Sequence, residues 1–407
     1  MDRPFAGMRV VDLTQALSGP VCTHHLAMLG AEVVKVERPA HGDMMRRTGF
    51  DDDLRAAGMG TTFLAVNGGK KSVMLDLARP EGREVLLRLV DGADVLVENN
   101  RAGALERLGL GGAEMLARNP RLVYCALTGF GQDGPWRDRA AYDHIVQAVS
   151  GVMTYTGGDG PALSGVPIVD VFSGLMAAFA VASALVERAR TGKGRIVDVS
   201  MLETLIYLLG YYAVGAIATG ENPPPLGNAG IRGRPGSGTF ETADGHLVLT
   251  VFMPPHRAAL CRAIGRDDLL AEMSAELVEF DLDTAARLRA ELQKTLRTKP
   301  AAEWEEILVG AGLGAAKVRA MDEVLAHPQV LFREYLEHFD AIPGTGGRAL
   351  DLPGLAFTLD GDRPRGDGPP RPLGADTDAV LRDLGYDAAE IAGLRAAGAV
   401  AGADPAA

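Results

Sequence analysis

The sequence predicts an α/β protein with a doubly wound, Rossmann-like large domain and a smaller α+β domain. Two observations support this prediction. Short β-branched runs alternate with amphipathic segments through the first 200 residues, and a Pro- and Gly-rich stretch, ENPPPLGNAGIRGRPGSG (221–238), then interrupts the alternation. A chain of 407 residues is long enough for more than one domain. We assign residues 1–220 to the first part of the large domain, 221–329 to the linker and small domain, and 330–407 to a tail that returns to the large domain.

The first elements form a β-α-β unit. A strand is predicted over Met8–Thr14, a helix over Gly19–Gly30 and a second strand over Ala31–Glu37, which favours a parallel pair. The alternation then recurs. Further strands are predicted at SVMLDL (72–77), DVLVEN (94–99), LVYCAL (122–127) and RIVDVS (195–200), and further helices at 80–90, 103–108, 113–118, 143–153 and 173–190.

The later part of the chain has a different character. The uncharged run Thr204–Gly220 falls just short of the roughly 18 to 20 residues that a membrane span requires. We therefore expect a continuous helix over 201–219, buried on all sides in a soluble core. Beyond the linker, a hairpin is predicted around Asp244-Gly245. Helices are predicted at 255–264, 283–295, 301–311, 377–384 and 388–396.

The totals exclude several functional classes. A net charge of −12 argues against a non-specific nucleic-acid binder. Cys22, Cys125 and Cys261 lack the spacing of a metal or redox motif, so we expect a reduced, cytoplasmic setting and no metal site. The start, MDRPFAGMRVVDL, lacks the apolar core of a secretory signal. We find no G-x-G-x-x-G fingerprint, phosphate-binding P-loop or G-x-S-x-G elbow, so neither a dinucleotide enzyme nor a serine hydrolase is indicated.

One acidic residue stands out. Asp170 follows the apolar run Val166–Val169 and precedes an apolar helix that we expect to begin near Ser173. A carboxylate is costly to bury there unless it is paired or used in chemistry. The alternative is an ordinary helix cap, for which Asp is a favoured residue.

Several arginines follow predicted strands, where loops of a parallel sheet form binding crevices. They include Arg38, Arg101 and Arg107, and the guanidinium group suits the phosphates of an extended ligand. The alternative for each is a solvated surface side chain.

Several segments together resemble a known family. They are YDHIVQAVSG (142–151), SGVPIVDVFSG (164–174), RARTGKGRIVDVSM (188–201), the patterns ERxxxGDxxR and VENxxxGALxRxG, and the tail segment PLGADTDAVLRDLGY. The chain resembles the family III CoA-transferases, the CaiB/BaiF group that includes formyl-CoA transferase, carnitine CoA-transferase and 2-methylacyl-CoA racemase. The resemblance implies a CoA-transferase that takes a coenzyme A thioester as substrate and holds no permanently bound cofactor. Its implied partners are an acyl-CoA and a carboxylic acid, with no nucleic acid or membrane, and it is expected to form an interlocked homodimer.

The resemblance also implies the roles of individual residues. Asp170 would be the nucleophile, supported by Tyr142 and Asp143. Lysines frequent in the family's CoA site are replaced by Ala78 and Ala140, beside which Arg79 and Arg139 could substitute. The implied CoA-binding residues are Leu17, Ser18, Arg38, Leu75, Ala78, Asn99, Asn100, Arg101, Arg107, Arg139, Ala140 and Ala141.

The family's substrate-facing glycine loop falls on residues 230–238. Here it presents Arg232, Gly233 and Arg234. Two guanidinium groups suggest that one substrate carries a second carboxylate, as a succinate-like diacid does. The alternative is that both arginines face solvent.

In the transfer mechanism that the resemblance implies, Asp170 forms an acyl anhydride and then an aspartyl-CoA thioester. Two alternatives remain. The racemase branch places a histidine where this chain has Tyr142, and a tyrosine hydroxyl is a poor base near neutral pH, so transfer is favoured. A non-catalytic acyl-CoA-binding protein would be expected to lack Asp170, which is present.

Overall fold

The computed structural model describes residues 3–157, 160–225, 227–230, 233–275 and 280–402. Its strands are β1 (Arg9–Asp12), β2 (Glu32–Glu37), β3 (Lys70–Leu75), β4 (Val95–Glu98), β5 (Val123–Thr128), β6 (Arg195–Ser200), β7 (Ser237–Glu241), β8 (His246–Thr250), β9 (Gly314–Lys317), β10 (Leu336–Phe339), β11 (Leu350–Pro353) and β12 (Val400–Ala401). Its α-helices are α1 (Ser18–Met28), α2 (Asp52–Ala56), α3 (Thr61–Leu64), α4 (Pro80–Asp91), α5 (Gly112–Arg118), α6 (Asp143–Ser150), α7 (Met153–Thr156), α8 (Ile168–Thr191), α9 (Met201–Leu208), α10 (Gly210–Thr219), α11 (Pro254–Ala263), α12 (Leu270–Met273), α13 (Leu282–Leu296), α14 (Ala301–Gly310), α15 (Met321–Leu325), α16 (Pro328–Phe332), α17 (Thr377–Asp383) and α18 (Ala388–Ala396).

The chain forms two compact units. The larger comprises Met1–Val152, Ser164–Ala218 and Arg333–Ala407, and the smaller comprises Met153–Leu163 and Thr219–Phe332. The segment Met153–Leu163 therefore groups with the smaller unit, whereas sequence analysis assigns it to the large domain.

A seven-stranded sheet lies at the centre of the larger unit, in the order β12–β3–β2–β1–β4–β5–β6. Val10 of β1 pairs in parallel with Val33 of β2 on one side and with Val95 of β4 on the other. The antiparallel strand β12 closes one edge against β3. From β3 to β6 this is the strand order of a doubly wound sheet. The order along the chain runs outward in one direction from β1 to β3 and in the other from β4 to β6, so it reverses between β1 and β4. The predicted α/β fold with a large parallel sheet is confirmed.

The core of the larger unit follows from its strand composition. All residues of β4 and β5 are buried, as expected for parallel strands whose two faces are covered by other elements. Leu86 of α4 joins this core, and the returning tail adds Leu381 of α17 and Ile391 of α18. Residues far apart in sequence therefore share one hydrophobic cluster.

The smaller unit has its own three-stranded antiparallel sheet, in the order β7–β8–β9. Glu241 pairs with His246 across the hairpin turn, which confirms the hairpin predicted around Asp244-Gly245. Leu288 and Leu292 of α13 pack with Trp304 of α14 in a separate core.

Helix α8 begins earlier than predicted. Its first residue is Ile168 rather than one near Ser173, so Asp170 lies inside the first turn and is not the N-cap. The reason is tertiary: the carboxylate of Asp143, on α6, accepts hydrogen bonds from the backbone N–H groups of Val169 and Asp170. No residue adjacent in sequence supplies a side-chain cap, so local signals do not mark this start.

The predicted continuous helix over 201–219 is wrong. It is broken at Leu209 into α9 and α10, which are bent by 75°. Burial on all sides is also not found in the single chain, because no residue of α10 is buried and Tyr211 and Ile217 are each 83% exposed. The chain's own elements leave this apolar surface uncovered. By length and composition alone α8 could cross a membrane, and so could the bent pair as one span, but core helices of soluble proteins meet the same criteria.

Smaller differences concern helix ends. The helix predicted over 103–108 is a single 3₁₀ turn, Glu106–Leu108. The helix predicted over 143–153 ends at Ser150, because Gly151 adopts a left-handed conformation with φ of 88°.

Candidate active site

A cavity of about 310 Å³ opens in the larger unit where the strand order reverses. Loops that follow β1, β4 and β5 contribute to it, as expected for a ligand crevice at the carboxyl ends of a doubly wound sheet. Its volume is in the range of small-molecule sites. The lining residues are Gln15, Ala16, Ser18, Met44, Asn99, Asn100, Arg101, Ala102, Ala104, Leu127, Thr128, Gly129, Arg137, Arg139, Ala140, Ala141, Tyr142, Asp170 and Met201.

Asp170 is positioned in this cavity by hydrogen bonds at the start of α8. One oxygen of Asp143 accepts from the N–H of Val169 at 2.8 Å and from the N–H of Asp170 at 3.2 Å. The other oxygen accepts from the Gln147 side chain at 2.6 Å, and Gln147 in turn bonds to Ser164. Asp143 and Gln147 are both buried, so this network fixes the backbone from which Asp170 projects.

The electrostatic environment of Asp170 raises its pKa to about 6. Burial is the largest cause, because a half-buried carboxylate loses solvation, and the neighbouring Asp143 carboxylate adds to the effect. His144 and a hydrogen bond from Ser18 act in the opposite direction and lower the pKa. Asp170 is therefore still largely ionised at neutral pH.

A close approach between α1 and α8 places Ser18 beside Asp170. A Cβ atom added at Gly174 would lie 2.4 Å from the Ser18 carbonyl oxygen and 2.7 Å from Val21 Cβ. Such separations do not occur between real Cβ atoms and their neighbours, so only glycine permits this contact. The small residue one turn after Asp170 thus brings the start of α1 to the nucleophile.

Buried ion pairs lie under the turn that follows β1. Lys35 pairs with Asp43 at 3.0 Å, and Arg46 binds both oxygens of Glu37 at 2.7 Å. Burial alone would lower the pKa of Lys35, but the nearby carboxylates outweigh it and raise that pKa. These groups are almost fully buried and bond mainly to one another, and Lys35 and Asp43 also fix the backbone of the turn after β1.

A third buried pair, Lys70 and Asp12, joins β1 to β3. Lys70 Nζ lies 3.1 Å from Asp12 Oδ2 and also donates to Thr23 and Asn67. Burial would raise the pKa of Asp12, but Lys70 and Lys35 outweigh it and lower the pKa to about 2. The first βα unit is thereby fixed by charge as well as by packing.

The residues after β4 form another wall. Glu98 is buried and accepts from the backbone N–H of Asn100 at 2.7 Å and from its side chain at 3.2 Å. Burial above all, with smaller contributions from Glu106 and Asp198, raises the pKa of Glu98 to about 7 despite these hydrogen bonds. Asn100 and the exposed Arg101 are consequently presented to the cavity from a fixed loop.

Three arginines make one side of the cavity cationic: Arg101, Arg137 and Arg139. The Arg139 guanidinium lies 4.2 Å from the centre of the Trp136 ring, a cation–π contact. This loop is held close to the end of β5, because a Cβ at Gly129 would come within 2.0 Å of Ala141 Cβ. The arrangement can bind phosphate or carboxylate groups.

The structure brings together many of the predicted site residues. Those lining the cavity are Ser18, Asn99, Asn100, Arg101, Arg139, Ala140, Ala141, Tyr142 and Asp170. Asp143 lies behind Asp170 as described above. Their roles in binding and catalysis remain predictions.

Other predicted residues lie outside the cavity lining. Leu17 is the N-cap of α1, and Arg38, Ala78 and Arg107 are exposed on loops or a turn. The Leu75 side chain is only 2% exposed and belongs to the hydrophobic core, so it can contribute to a ligand only through its backbone. Arg79 pairs with Asp76 at 3.4 Å.

The predicted substrate loop belongs to the smaller unit. Arg232 lies outside the described residues. Gly233 has a φ of 69° and accepts a hydrogen bond from the N–H of Phe280. The guanidinium of Arg234 lies 5.0 Å from the centre of the Phe252 ring.

Sequence reasoning missed several cavity residues, among them Gln15, Met44 and Arg137. Gln15 follows β1 in the first βα turn, a position that itself indicates a crevice in this fold. Arg137 lies two residues from the predicted Arg139. Within the described ranges, no group of three or more His, Cys, Asp or Glu residues could hold a metal ion.

Comparisons with known proteins identify the family to which this chain is similar. The model of CoA-transferase family III matches residues 5–377. The succinyl-CoA:glutarate CoA-transferase of Homo sapiens is 31% identical over 402 residues, which is 98% of this chain and 90% of that protein. The succinyl-CoA:mesaconate CoA-transferase of Haloarcula marismortui is 36% identical over 340 residues, 82% of this chain and 85% of the relative.

A solved structure has the same fold. The crystal structure of a CaiB/BaiF family protein from Brucella suis is 30% identical, with a TM-score of 0.82 over 94% of this chain and 100% of that one. Sequence and structure therefore agree over nearly the whole length, and the chain belongs to CoA-transferase family III, the CaiB/BaiF family, and is a CoA-transferase.

Proposed function

We propose that this enzyme moves CoA from an acyl-CoA thioester to a carboxylic acid through covalent intermediates on Asp170. The observation that carries the proposal is the position of this carboxylate. It lies in the first turn of α8, half-buried, in a cavity that also has a cationic side. A carboxylate with a pKa of about 6 is ionised at neutral pH and more basic than an ordinary aspartate, which suits a nucleophile.

The proposed steps balance without a metal or redox partner. Asp170 attacks the thioester carbonyl, which forms an acyl anhydride and releases CoA thiolate. The thiolate attacks the aspartyl carbonyl, giving an aspartyl-CoA thioester and the first free acid. An acceptor carboxylate attacks this thioester, forming a second anhydride, and the released thiolate then attacks the acceptor's acyl carbonyl. The new acyl-CoA leaves and the Asp170 carboxylate is restored.

Each attack passes through an oxyanion near the start of α8. The helix N-terminus carries partial positive charge, and arginines line the same cavity, so negative charge that develops at the acyl oxygen is stabilised. The buried network of Asp143 and Gln147 keeps the helix start fixed during these steps. Asp143 thus acts as a positioning residue.

Hydroxylamine trapping tests the covalent step. The purified protein incubated with succinyl-CoA and hydroxylamine should gain a hydroxamate on the peptide that contains Asp170, detected by mass spectrometry. Asp170→Ala should lose both the label and CoA transfer, while Asp383→Ala, an exposed aspartate on α17, should keep both. Transfer above a few per cent in folded Asp170→Ala would refute the assignment.

We further propose that one substrate is a dicarboxylate. The two relatives described above are named for succinyl-CoA with glutarate and with mesaconate, which are diacid substrates. Arg232 and Arg234, in the segment equivalent to the family's substrate loop, are the proposed partners of the second carboxylate. A comparison of kcat/KM for succinate and butyrate in the native enzyme, Arg232→Ala and Arg234→Ala tests this. If neither substitution reduces the preference for succinate over butyrate, the arginines do not bind the second carboxylate.

A homodimer is also proposed. Exposed apolar side chains lie on three consecutive helices, including Phe179 of α8, Tyr207 of α9, and Tyr211 and Ile217 of α10. Exposed apolar side chains in this number favour association, and a second copy is the partner that the family resemblance implies. Light scattering at micromolar concentration should give twice the chain mass, and a monomer would contradict the proposal.

A further inference from the structure

Gln15 lies in the turn after β1, and hydrogen bonds to its backbone fix its position. The Gln15 N–H donates to Asn99 Oδ1 at 2.9 Å, and the Gln15 carbonyl accepts from Asn99 Nδ2 at 2.7 Å. Asn99 follows β4, the strand beside β1 in the sheet. This two-way contact uses the side chain of Asn99 to fix the main chain of Gln15.

Both neighbours of Gln15 are fixed in the same way. Lys35 Nζ donates to the Thr14 carbonyl at 2.8 Å, and Asp43 Oδ1 accepts from the Ala16 N–H at 3.0 Å. Lys35 and Asp43 are themselves paired and buried. Ala16 has a φ of 64°, a left-handed conformation that costs a non-glycine residue about 1 kcal/mol or more and persists only where the surroundings impose it.

The side chain of Gln15 has no such structural use. It is exposed, and its carboxamide makes no hydrogen bond to any other residue of the described ranges. It lines the same cavity as Asp170. Three buried or partly buried side chains thus impose a strained turn on a residue that lines the nucleophile's cavity and whose carboxamide has no partner within the described ranges. A surface glutamine would not need this degree of fixation, and strain imposed in this way is typical of ligand-binding sites.

We infer that Gln15 is a substrate-binding, specificity-determining residue that donates its side-chain N–H to an oxygen of the acyl group at Asp170. The oxygen belongs to the free carboxylate of the acid or to the carbonyl of its thioester, which have the same acceptor chemistry. A neutral carboxamide can serve both states, since it neither repels the carboxylate nor neutralises Asp170. This inference rests on the transfer reaction proposed above.

Steady-state kinetics with succinyl-CoA and glutarate test the role. Gln15→Ala should lower kcat/KM for glutarate about tenfold or more, since a hydrogen bond to a charged group is lost. Gln15→Glu keeps the size of the side chain but places a negative charge near the acid, so kcat/KM for glutarate should fall further in this variant. The Kd for free CoA should stay within about twofold in both variants, because the acyl end alone is affected. Gln329→Ala, an exposed glutamine on α16, is the matched control and should equal the native enzyme.

The outcomes separate this inference from the proposed function. Gln15 is exposed, so its variants should keep the native Tm, and a loss of kcat/KM cannot then be ascribed to unfolding. Native kcat/KM for glutarate in both Gln15 variants would overturn the role of Gln15 and leave the transferase proposal intact. If the affinity for free CoA fell in both variants by as much as kcat/KM for glutarate, the assignment of Gln15 to the acyl group would be overturned. No transfer by the native enzyme, with no hydroxamate on Asp170, would overturn the proposed function itself.

Discussion

Asp143→Asn should move the pH dependence of the first chemical step to lower pH. The substitution keeps an oxygen that can accept from the N–H groups of Val169 and Asp170, but removes a negative charge beside the Asp170 carboxylate. The charge of Asp143 is, after burial, the second cause that raises the pKa of Asp170. Without it, burial still opposes ionisation, so the pKa should fall part of the way from about 6 toward its ordinary value of 3.8.

The size of the effect follows from this partial fall. A neighbouring carboxylate typically changes a pKa by about one unit or more, so we expect an apparent pKa of about 5 in the variant. At pH 5.5 a carboxyl group of pKa about 6 is roughly one quarter ionised, and one of pKa about 5 is roughly three quarters ionised. The relative rate at pH 5.5, scaled to the plateau above pH 8, should therefore rise about threefold. The plateau itself should drop, because an amide at 143 cannot accept from Gln147 as the carboxylate does.

Single-turnover formation of the acyl-enzyme, trapped with hydroxylamine between pH 4.5 and 8.5, gives the profile directly. His144→Gln supplies a control of opposite sign, because His144 lowers the pKa of Asp170 and its removal should shift the profile to higher pH. A profile in Asp143→Asn that is unchanged, or that moves to higher pH, would refute the electrostatic account of this site.

Two further predictions concern stability. Burial raises the pKa of Glu98 from 4.5 to about 7, so the folded state binds this proton more tightly than the unfolded chain does. The resulting stability is complete below pH 4.5 and is lost as the pH rises through 7, by about 3 kcal/mol in total. Glu98→Gln should remove the part of the pH dependence of stability that Glu98 causes. If Tm fell equally between pH 5 and 8 in the variant and in the native enzyme, this prediction would be contradicted. Gly174→Ala should lower the free energy of unfolding by about 2 kcal/mol or more, since its Cβ would overlap Ser18. Gly393→Ala in α18 is the control and should not lower the free energy of unfolding, because a Cβ there meets nothing within 4 Å. Comparable urea midpoints for Gly174→Ala and Gly393→Ala would contradict the prediction.

The regular part of the fold could be predicted because its signals are local. The predicted helix starting at Pro80 matches α4, where proline occupies the first turn, and RIVDVS matches β6 residue for residue. The start of α8 could not be found in this way. Its cap is Asp143, 27 residues away from Asp170, and only the folded chain brings the two together. The break at Leu209 also lacks a proline, and the glycine that follows it is compatible with a continuous helix.

Site residues that belong to a family motif could be predicted from the sequence. Those that are recognised only by their contacts in the folded chain could not. The resemblance singled out Asn99, Asn100 and Arg101, and these residues do line the cavity with Asp170. It also singled out Leu75, whose side chain turns out to be buried in the core, since a motif does not tell backbone from side-chain contact. The position of Gln15 after β1 indicates a crevice, but its role becomes apparent only when the hydrogen bonds around Thr14 and Ala16 are known. No sequence pattern reveals that its carboxamide is left free.

The degree of burial at Asp170 suits the nucleophilic attack proposed above, and proton exchange differs from it in what else the site must supply. Full burial beside Asp143 would keep the carboxyl protonated and unreactive, and full exposure would leave it an ordinary weak nucleophile. Half-burial, with a hydrogen bond from Ser18, gives a pKa of about 6 and an ionised but more basic oxygen. Racemisation would need a second base across the substrate carbon. Besides Asp170, the cavity lining includes the hydroxyl of Tyr142 and three arginines, and the arginines suit a charged acid better than a carbon-bound proton. In the proposed exchange between thioester and anhydride, Asp170 carries the acyl group, while the Gln15 amide and the guanidinium groups of the cavity would bind the acid.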